Sequence, residues 1–408
     1  MKELENGVCA PKGFRAAGIR CGIKASSAKK DLALIASDTP CVSAAVFTAN
    51  LVKAASVRIT AEHIARGGVR ALVVNSGNAN ACTGDAGAAA ARRMAEAAAA
   101  ALGTAAAEIA VASTGVIGVP LPIDLIENAA PSLRKALTAL REGSDDALEA
   151  IMTTDTKKKH AALEIELPGG GTVRIGAIVK GSGMIHPNMA TMIAIITSDA
   201  AIRAELLDRA LRRAVKRTFN RLSVDGDTST NDMALIMANG EAGNAPIENE
   251  GPDYTAFASA LETICEKLTR LMARDGEGAT KLLTVNVRGA QSEEAAAVLA
   301  RAVTASSLVK AACFGADANW GRVLCALGYA GVPFSPEKTA IAFASRAGSV
   351  TVCKKGGPVE FSEEKAKEIL LEEEIVIEIS VGTEAGEASA WGCDLSYDYV
   401  KINGDYRS

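Results

Sequence analysis

The stretch Lys180-Gly-Ser-Gly-Met-Ile-His-Pro-Asn-Met-Ala-Thr-Met-Ile-Ala194 decides how the rest of the chain is interpreted. Gly181 and Gly183 permit backbone conformations that other residues avoid, and the histidine-proline pair favours an extended or turned segment. Ala190 then precedes Thr191, which opens a continuous apolar run typical of a buried strand. A glycine turn before a strand, with threonine as an ordinary strand former, accounts for all of this by structure alone.

The same segment also suits an intramolecular attack by the Thr191 hydroxyl on the carbonyl carbon of Ala190. The attack would give an ester, and hydrolysis would leave Thr191 as a new N-terminus. Its α-amine, with a pKa of about 8, could then act as the base for its own hydroxyl. The chain has only three histidines and no G-x-S-x-G segment, so an ordinary Ser/His/Asp arrangement finds little support. The residues alone leave both interpretations open.

Composition narrows the class of protein. The chain has 408 residues, of which 49% are apolar and 23% charged, which predicts a folded protein large enough for two lobes. Its net charge is −4, and the run Lys157-Lys158-Lys159 is the clearest basic segment, so a nucleic-acid partner is not expected.

Cysteine usage bears on location and on metals. Nine cysteines are scattered without a C-x-x-C pair, which argues against a zinc site and against a disulfide scaffold. We interpret them as small core side chains. The odd count, the absence of an apolar segment after Met1 and the lack of an apolar stretch near twenty residues favour a reduced, cytoplasmic location.

Alternating strand and helix patterns predict an α/β class, with layered β-sheets covered by helices and arranged in two lobes. Strands are expected near 44–47, 71–74, 108–111, 192–197, 281–287 and 338–345, with a hairpin over 161–179. Helices are expected over 85–102, with Asp85 as its cap, across 122–152, and near 203–217, 254–273 and 291–305. The loop 75–80 and the polar loop 244–253 separate some of these elements.

Several segments resemble one known family. The stretch 180–199 is similar to the cleavage region of the ornithine acetyltransferases, also called bifunctional glutamate N-acetyltransferase/amino-acid acetyltransferases of arginine biosynthesis. Further matching segments extend along nearly the whole chain: 75–80, 113–118, 152–156, 223–232, 274–281, 315–322 and 399–408. Their order and spread make the resemblance specific, and it implies a self-cleaving fold of the N-terminal-nucleophile type.

The resemblance implies roles for particular residues. Thr191 would be the nucleophile, released by cleavage between Ala190 and Thr191 into an α chain of residues 1–190 and a β chain of residues 191–408. Thr114 and Gly115 would form the oxyanion hole, and a hydroxyl with a backbone N–H after a strand suits that task. The positions that match the family's substrate-binding residues are Thr154, Lys180, Thr191, Glu277, Asn403 and Ser408.

The implied reaction is ping-pong acetyl transfer. Thr191 would take the acetyl group from N2-acetylornithine, ornithine would leave, and glutamate would accept the acetyl group as N-acetylglutamate. No cofactor and no metal are expected, since the acidic segment 225–232 lacks the spacing of a calcium loop and is interpreted as a structural loop near the site. Acetyl-CoA is a candidate second donor, and the family assembles as a heterotetramer of two α and two β chains.

Two other functions stay open. A self-processing aminopeptidase or amidase would use the same cleavage chemistry with water as the acceptor, and a non-catalytic amino-acid binding protein would remain uncleaved. The C-terminal segment also makes a structural prediction, because it holds Tyr397, Tyr399 and Tyr406 interleaved with Val400 and Ile402. Apolar side chains of this kind are expected to pack the tail back over the site, bringing Asn403 and Ser408 to the substrate.

Overall fold

Three β-sheets and the helices that cover them make up the fold. The structure is a computed structural model that describes residues 1–25, 27–186 and 192–405. Ala190, Thr191 and Ser408, which carry three of the expected roles, lie outside the described residues. The strands are β1 (Lys2–Leu4), β2 (Phe14–Ile19), β3 (Leu32–Ser37), β4 (Val42–Phe47), β5 (Ala71–Asn78), β6 (Ile109–Val116), β7 (Lys159–Glu166), β8 (Thr172–Lys180), β9 (Ile193–Ser198), β10 (Leu222–Ser223), β11 (Met233–Ala238), β12 (Leu282–Ala290), β13 (Ala340–Ser345), β14 (Gly348–Lys354), β15 (Gly357–Pro358), β16 (Glu374–Ser380) and β17 (Gly386–Cys393).

The helices alternate with these strands along the chain. They are α1 (Ala55–Gly67), α2 (Gly84–Leu102), α3 (Ile123–Lys135), α4 (Arg141–Ile151), α5 (Ala204–Arg217), α6 (Pro252–Arg274), α7 (Glu293–Ala305), α8 (Ser307–Phe314), α9 (Trp320–Gly328), α10 (Glu363–Leu370) and α11 (Tyr397–Asp405). The predicted α/β class with helix-covered sheets is confirmed.

The first lobe is a four-layer stack. Its six-stranded sheet has the order β1-β7-β8-β9-β11-β4, and its four-stranded sheet has the order β2-β3-β5-β6. Apolar side chains from both sheets, such as Ile195 and Val74, form a common core between them. Helices α5 and α6 pack on the outer face of the six-stranded sheet, and α2 and α3 pack on that of the four-stranded sheet. Burial on both faces explains why β9 and β11 read as continuous apolar runs.

The second lobe is a seven-stranded sheet of order β10-β17-β12-β16-β13-β14-β15. Helices α7, α8, α9 and α10 bury their apolar faces against this sheet in a separate core. All of its strands follow residue 191 in the chain, and all strands of the four-stranded sheet precede it. The six-stranded sheet alone combines strands from both sides, because β9 pairs with β8 and β11 pairs with β4.

Several sequence expectations need correction in detail. The 75–80 segment is not wholly a loop, since β5 continues to Asn78. Asp85 does not cap α2: Thr83 is the N-cap residue, without a side-chain cap hydrogen bond, and Asp85 lies in the first turn of the helix. Cys82 and Cys325 are exposed, so the cysteines are not all core side chains, although most of the others are buried. Whether a cysteine is buried depends on its tertiary environment, so its residue type alone does not predict its burial.

Within the described ranges, no single helix is long and apolar enough to cross a bilayer. Helices α7 and α8 meet the length and composition criteria only when taken together, and they meet at an angle of 58°.

Candidate active site

A small cavity of about 70 Å³ brings together most of the described residues with an expected role. It lies where β6 and β8 end, next to the loop after α6 and to α11. The lining residues are Ala79, Thr114, Gly115, Ile117, Thr153, Thr154, Lys180, Gly183, Met184, Ser229, Thr230, Asn231, Glu277 and Asn403. Thr154 and Glu277 also line a larger neighbouring cavity of about 740 Å³. Segments far apart in sequence therefore converge on one space.

We call the side of the cavity formed by Thr114, Gly115, Thr154 and Lys180 the strand wall. The sequence suggested that Thr114 and Gly115 follow a strand. In the structure both residues lie inside β6. The pairing of β6 with β5 shifts register at this point, although the two strands stay paired. Gly115 has a φ of +132°, and a side chain there would lie 2.4 Å from the Gly77 carbonyl carbon. Only glycine fits this position.

Lys180 is the last residue of β8 and is only 3% exposed. Its Nζ donates a hydrogen bond to Thr114 Oγ1 at 3.3 Å. Burial lowers the pKa of Lys180 below its ordinary value, while the negative charge of Asp155 opposes that change. A threonine hydroxyl has one hydrogen and two lone pairs, so accepting from Lys180 leaves the Thr114 hydrogen free to donate into the cavity.

A buried ion cluster of Asp155, Lys159 and Asp275 lies next to the strand wall. Asp155 Oδ1 accepts hydrogen bonds from Lys159 Nζ and from the Gly181 N–H, each at 2.7 Å. Lys159 also pairs with Asp275 at 2.5 Å, and its side chain is 1% exposed. Burial alone would raise the pKa of Asp155, but Lys180 and Lys159 outweigh it and hold that pKa at about 2. The cluster fixes the segment that carries Thr154 next to the end of β8.

Glu277 and Asn403 also line the cavity, and we call the side that they form the tail wall. Glu277 follows α6, its N–H donates to the Ser182 carbonyl oxygen at 2.9 Å, and its carboxylate accepts from Asn403 Nδ2 at 2.8 Å. Gly183 makes room for this carboxylate, because a side chain there would lie 2.3 Å from the Glu277 carboxyl carbon. Glu277 is half-buried and Asn403 is exposed.

The C-terminal helix docks beside the cavity with only part of its expected apolar set. Tyr397 is 85% exposed and Val400 is 71% exposed, although Tyr397 makes an edge contact with the Phe314 ring. The contact from Asn403 to Glu277 places the tail beside the cavity. Tyr399 and Ile402 are half-buried, and Ile402 lines the larger neighbouring cavity, so both polar and apolar contacts place the helix beside the site. Tyr406 lies outside the described residues.

The loop between β10 and β11 closes a further side of the cavity. Asn231 Nδ2 donates to the carbonyl oxygens of Ala79 and Ser113, each at 2.7 Å, and so ties this loop to β6 and to the residue after β5. Asp225 accepts the N–H groups of Met184 and Ile185 at 2.6 and 2.9 Å. The acidic side chains of this segment therefore accept main-chain hydrogen bonds, consistent with a structural loop.

The chain resumes at Met192, directly after the residues that the structure does not describe. The Met192 N–H donates to Asp232 Oδ1 at 2.9 Å, and Ile193 pairs with Lys180 across β8 and β9. The position that follows Thr191 in sequence is thus adjacent to the end of the strand wall.

Two residues that stabilise the site, Lys159 and Asp155, were not identified from the sequence. Lys159 belonged to an apparently solvated basic run, yet its side chain is buried between two carboxylates. Asp155 lay within a recognised segment, but only its neighbour Thr154 was assigned a role. The sequence did contain a sign of this burial. Lys159 occupies an inward-facing position in the apolar alternation of β7, and a buried lysine requires a partner of opposite charge.

A cavity lined by both a buried lysine and a carboxylate defines an enzyme-like site for a small charged molecule. Comparison with protein families gives the narrower assignment, since the ArgJ family matches residues 15–408. The chain belongs to the ArgJ family and is an acetyltransferase of arginine biosynthesis. The family resemblance read from the sequence is thereby confirmed.

Individual relatives agree with this assignment. The arginine biosynthesis bifunctional protein ArgJ of Symbiobacterium thermophilum is 53% identical over 410 residues, with both chains covered completely. The crystal structure of the Bacillus halodurans ArgJ protein is 45% identical, with a TM-score of 0.50, and the match covers 52% of this chain and 98% of that one. An ornithine acetyltransferase of Mycobacterium tuberculosis, solved in complex with ornithine, is also 45% identical, with a TM-score of 0.42 and coverage of 46% and 97%.

Proposed function

We propose that this chain cleaves itself between Ala190 and Thr191 and then transfers the acetyl group of N2-acetylornithine to glutamate through an acetyl-Thr191 intermediate. The products would be ornithine and N-acetylglutamate. The observation that carries the proposal is the single cavity that Lys180, Thr114 and Glu277 all line. An amino-acid substrate has charged groups at both ends, and a site with both signs of charge can bind both ends.

The cleavage step follows from the chemistry of the two residues. The Thr191 hydroxyl oxygen bonds to the Ala190 carbonyl carbon, the bond from that carbon to the Thr191 nitrogen breaks, and the hydroxyl proton passes to the nitrogen. Water then hydrolyses the ester, leaving the Ala190 carboxylate and a free Thr191 amine and hydroxyl. The Thr114 hydroxyl and the Gly115 N–H are the proposed donors to the oxyanion that forms in each step.

Acetyl transfer repeats the same pattern with an external acyl group. The Thr191 amine takes the hydroxyl proton as the oxygen attacks the acetyl carbon, and the ornithine amine leaves with a proton. Glutamate then attacks the acetyl ester and regenerates the hydroxyl. In this scheme Lys180 binds the substrate carboxylate, Glu277 binds the amine of ornithine, and Thr154, Asn403 and Ser408 complete the polar contacts.

The comparisons support a two-chain product of residues 1–190 and 191–408. Full-length curated relatives match this chain from end to end, whereas the solved Bacillus halodurans chain is covered almost entirely by about half of it. A chain of half length is what cleavage near residue 190 would leave. By family resemblance, two chains of each kind form a heterotetramer in the cytoplasm.

A second reaction is part of the proposal. The curated relatives carry the word bifunctional in their names. We propose acetyl-CoA as the alternative acetyl donor, with Thr191 again accepting the acetyl group and glutamate receiving it. No resident cofactor or metal has a role in this scheme.

The decisive experiment combines a denaturing gel with two assays. Purified protein should separate into fragments 1–190 and 191–408, the second beginning Thr-Met-Ile-Ala-Ile by N-terminal sequencing. N-acetylglutamate should form from N-acetylornithine plus glutamate, and from acetyl-CoA plus glutamate. Thr191→Ala should stay intact and inactive, whereas Thr191→Ser should retain part of both functions because its hydroxyl survives. Full activity in an intact chain would contradict the mechanism, and acetate in place of N-acetylglutamate would indicate a hydrolase.

A further inference from the structure

The larger cavity next to the candidate active site has room for more than an amino acid. Its volume is about 740 Å³, whereas the small cavity that Thr114 and Lys180 line measures about 70 Å³. Thr154 and Glu277 line both cavities, so the two spaces adjoin. Cavities of about 300–1,000 Å³ are typical of drug-sized ligands, which are larger than an acetylated amino acid. The larger cavity therefore suits a substrate that extends well beyond its reacting group.

Several charged side chains of the larger cavity already have partners of opposite charge. Lys159 pairs with Asp275, and both side chains are buried. Arg274 pairs at the surface with Glu373 and Glu374. Pairs of this kind leave little unbalanced charge for a ligand to neutralise.

The C-terminal helix adds charges that largely offset one another. Lys401 lies three residues after Asp398 and four residues before Asp405 on α11, and side chains at these spacings are neighbours on a helix. The same helix contributes the half-buried Ile402, and α6 contributes the half-buried Leu271. Offset charges beside apolar side chains suit an uncharged chain that carries amide and hydroxyl groups.

Lys157 differs from the other cations that line the larger cavity. Its side chain is exposed, and its ammonium group makes no ion pair within the described part of the chain. Its main-chain N–H donates to Asp275 Oδ2 at 3.2 Å, which fixes the backbone at this position. An exposed ammonium group without a partner suits a phosphate.

We propose that the larger cavity binds the pantetheine arm of acetyl-CoA, with the acetyl group in the small cavity and the phosphates beside Lys157. The arm is a long uncharged chain of amide, hydroxyl and apolar groups, and the phosphates of CoA lie beyond it. N-acetylornithine delivers the same acetyl group without such an arm. The two donors therefore share the small cavity and differ in their use of the larger one. This inference rests on the proposed second reaction.

The first test fills the larger cavity and compares the two donors by steady-state kinetics of N-acetylglutamate formation. Leu271 lines the larger cavity and not the small one. Leu271→Trp should raise the KM for acetyl-CoA about tenfold, because the larger side chain occupies space that the arm needs. The KM for N-acetylornithine should change by less than about twofold. Leu140→Trp, the same substitution at a 64% exposed leucine, is the matched control and should alter neither constant.

The second test separates the arm from the phosphates. Lys157→Glu should raise the KM for acetyl-CoA about fivefold, since an exposed charge contributes about 1 kcal/mol at most. It should not change the KM for S-acetylpantetheine, which has the arm without the phosphates. Lys354→Glu, at an exposed lysine of β14 in the second lobe, is the control for the change in net charge.

The outcomes distinguish the inference from the function on which it rests. A wild-type enzyme that uses N-acetylornithine but neither thioester contradicts the proposed second reaction and this inference with it. A wild type that uses both kinds of donor, with variants at Leu271 and Lys157 that change both KM values equally or change neither, contradicts this inference alone. A donor-selective loss in both variants supports it.

Discussion

The two walls of the cavity differ in how firmly the fold holds them. In the strand wall, Thr114 and Lys180 are almost fully buried, lie in regular strands and contact each other directly. In the tail wall, Glu277 is half-buried, and Asn403 is exposed on a helix whose Tyr397 and Val400 side chains are also exposed. Groups fixed in a dry environment suit the stabilisation of a developing charge, and exposed polar groups suit the binding and release of substrate.

The two walls also come from different sides of the proposed cleavage site in the sequence. Every residue of the strand wall precedes Ala190, and both residues of the tail wall follow Thr191. Each proposed product chain therefore supplies one side of the cavity.

The strand wall should depend most on its buried ion cluster. Asp155→Asn leaves Lys159 and Lys180 without their shared carboxylate, which should lower the free energy of unfolding by about 3–5 kcal/mol. Urea denaturation measures this difference. Asp124→Asn, which removes a partner of Arg93 at an exposed site, should cost less than about 1 kcal/mol. Equal losses in the two variants would show that burial of the cluster is energetically unimportant.

The same cluster predicts a pH dependence. The pKa of Asp155 is held at about 2, below its ordinary value of about 3.9, because of Lys180 and Lys159. The folded state thus favours the ionised form, so the stabilisation is complete above about pH 4 and is lost as the pH falls towards 2. The gap in unfolding free energy between wild type and Asp155→Asn should narrow over that range.

Thr114 should control turnover more than substrate binding. Thr114→Ala removes a hydroxyl donor from the proposed oxyanion hole and should lower kcat by about 100-fold, or roughly 3 kcal/mol in the barrier. Cleavage at Thr191 should slow as well. Steady-state kinetics on the cleaved fraction separate kcat from KM, and Thr114→Ser is the control that keeps the hydroxyl. A cleaved Thr114→Ala enzyme with wild-type kcat would remove this residue from the mechanism.

The tail wall should affect KM by a smaller factor. Removing residues 403–408 deletes the Asn403 contact with Glu277, a polar contact of about 1 kcal/mol. The KM for N-acetylornithine should therefore rise about fivefold while cleavage continues. Val400→Ala, an exposed position on the same helix, should change neither constant. Wild-type KM and kcat after truncation would exclude Asn403 and Ser408 from the site.

Local sequence patterns predicted the elements well where burial is regular. The alternation across 161–179 gave the hairpin of β7 and β8, and the apolar run after Thr191 gave β9. Both patterns show which faces of a strand are buried. Residues within one strand follow the same pattern of burial, so a short segment is enough to detect it. The order of strands within the sheets was not predicted, because pairing joins residues distant in sequence.

The residues around the cavity divide in a similar way. The family resemblance placed Thr114, Lys180, Glu277 and Asn403, and the fold brings these four residues to one cavity. Asp155 and Lys159 were not singled out, since their importance comes from a buried charge and its distant partners. The alternation around Lys159 indicates that its side chain is buried, but local sequence does not identify distant partners such as Asp275.

The six-stranded sheet has a consequence for how the enzyme can be made. Strands β8 and β9 are hydrogen-bonded neighbours, and the proposed cut falls in the segment that connects them. Before the cut, the two strands find each other within one molecule, at the high effective concentration that a short connection provides. After the cut, unfolded fragments must meet by diffusion, so recovery becomes second order in protein and weakens on dilution. The uncut precursor would therefore refold as a single chain, whereas the mature enzyme would not readily reassemble once its fragments separate.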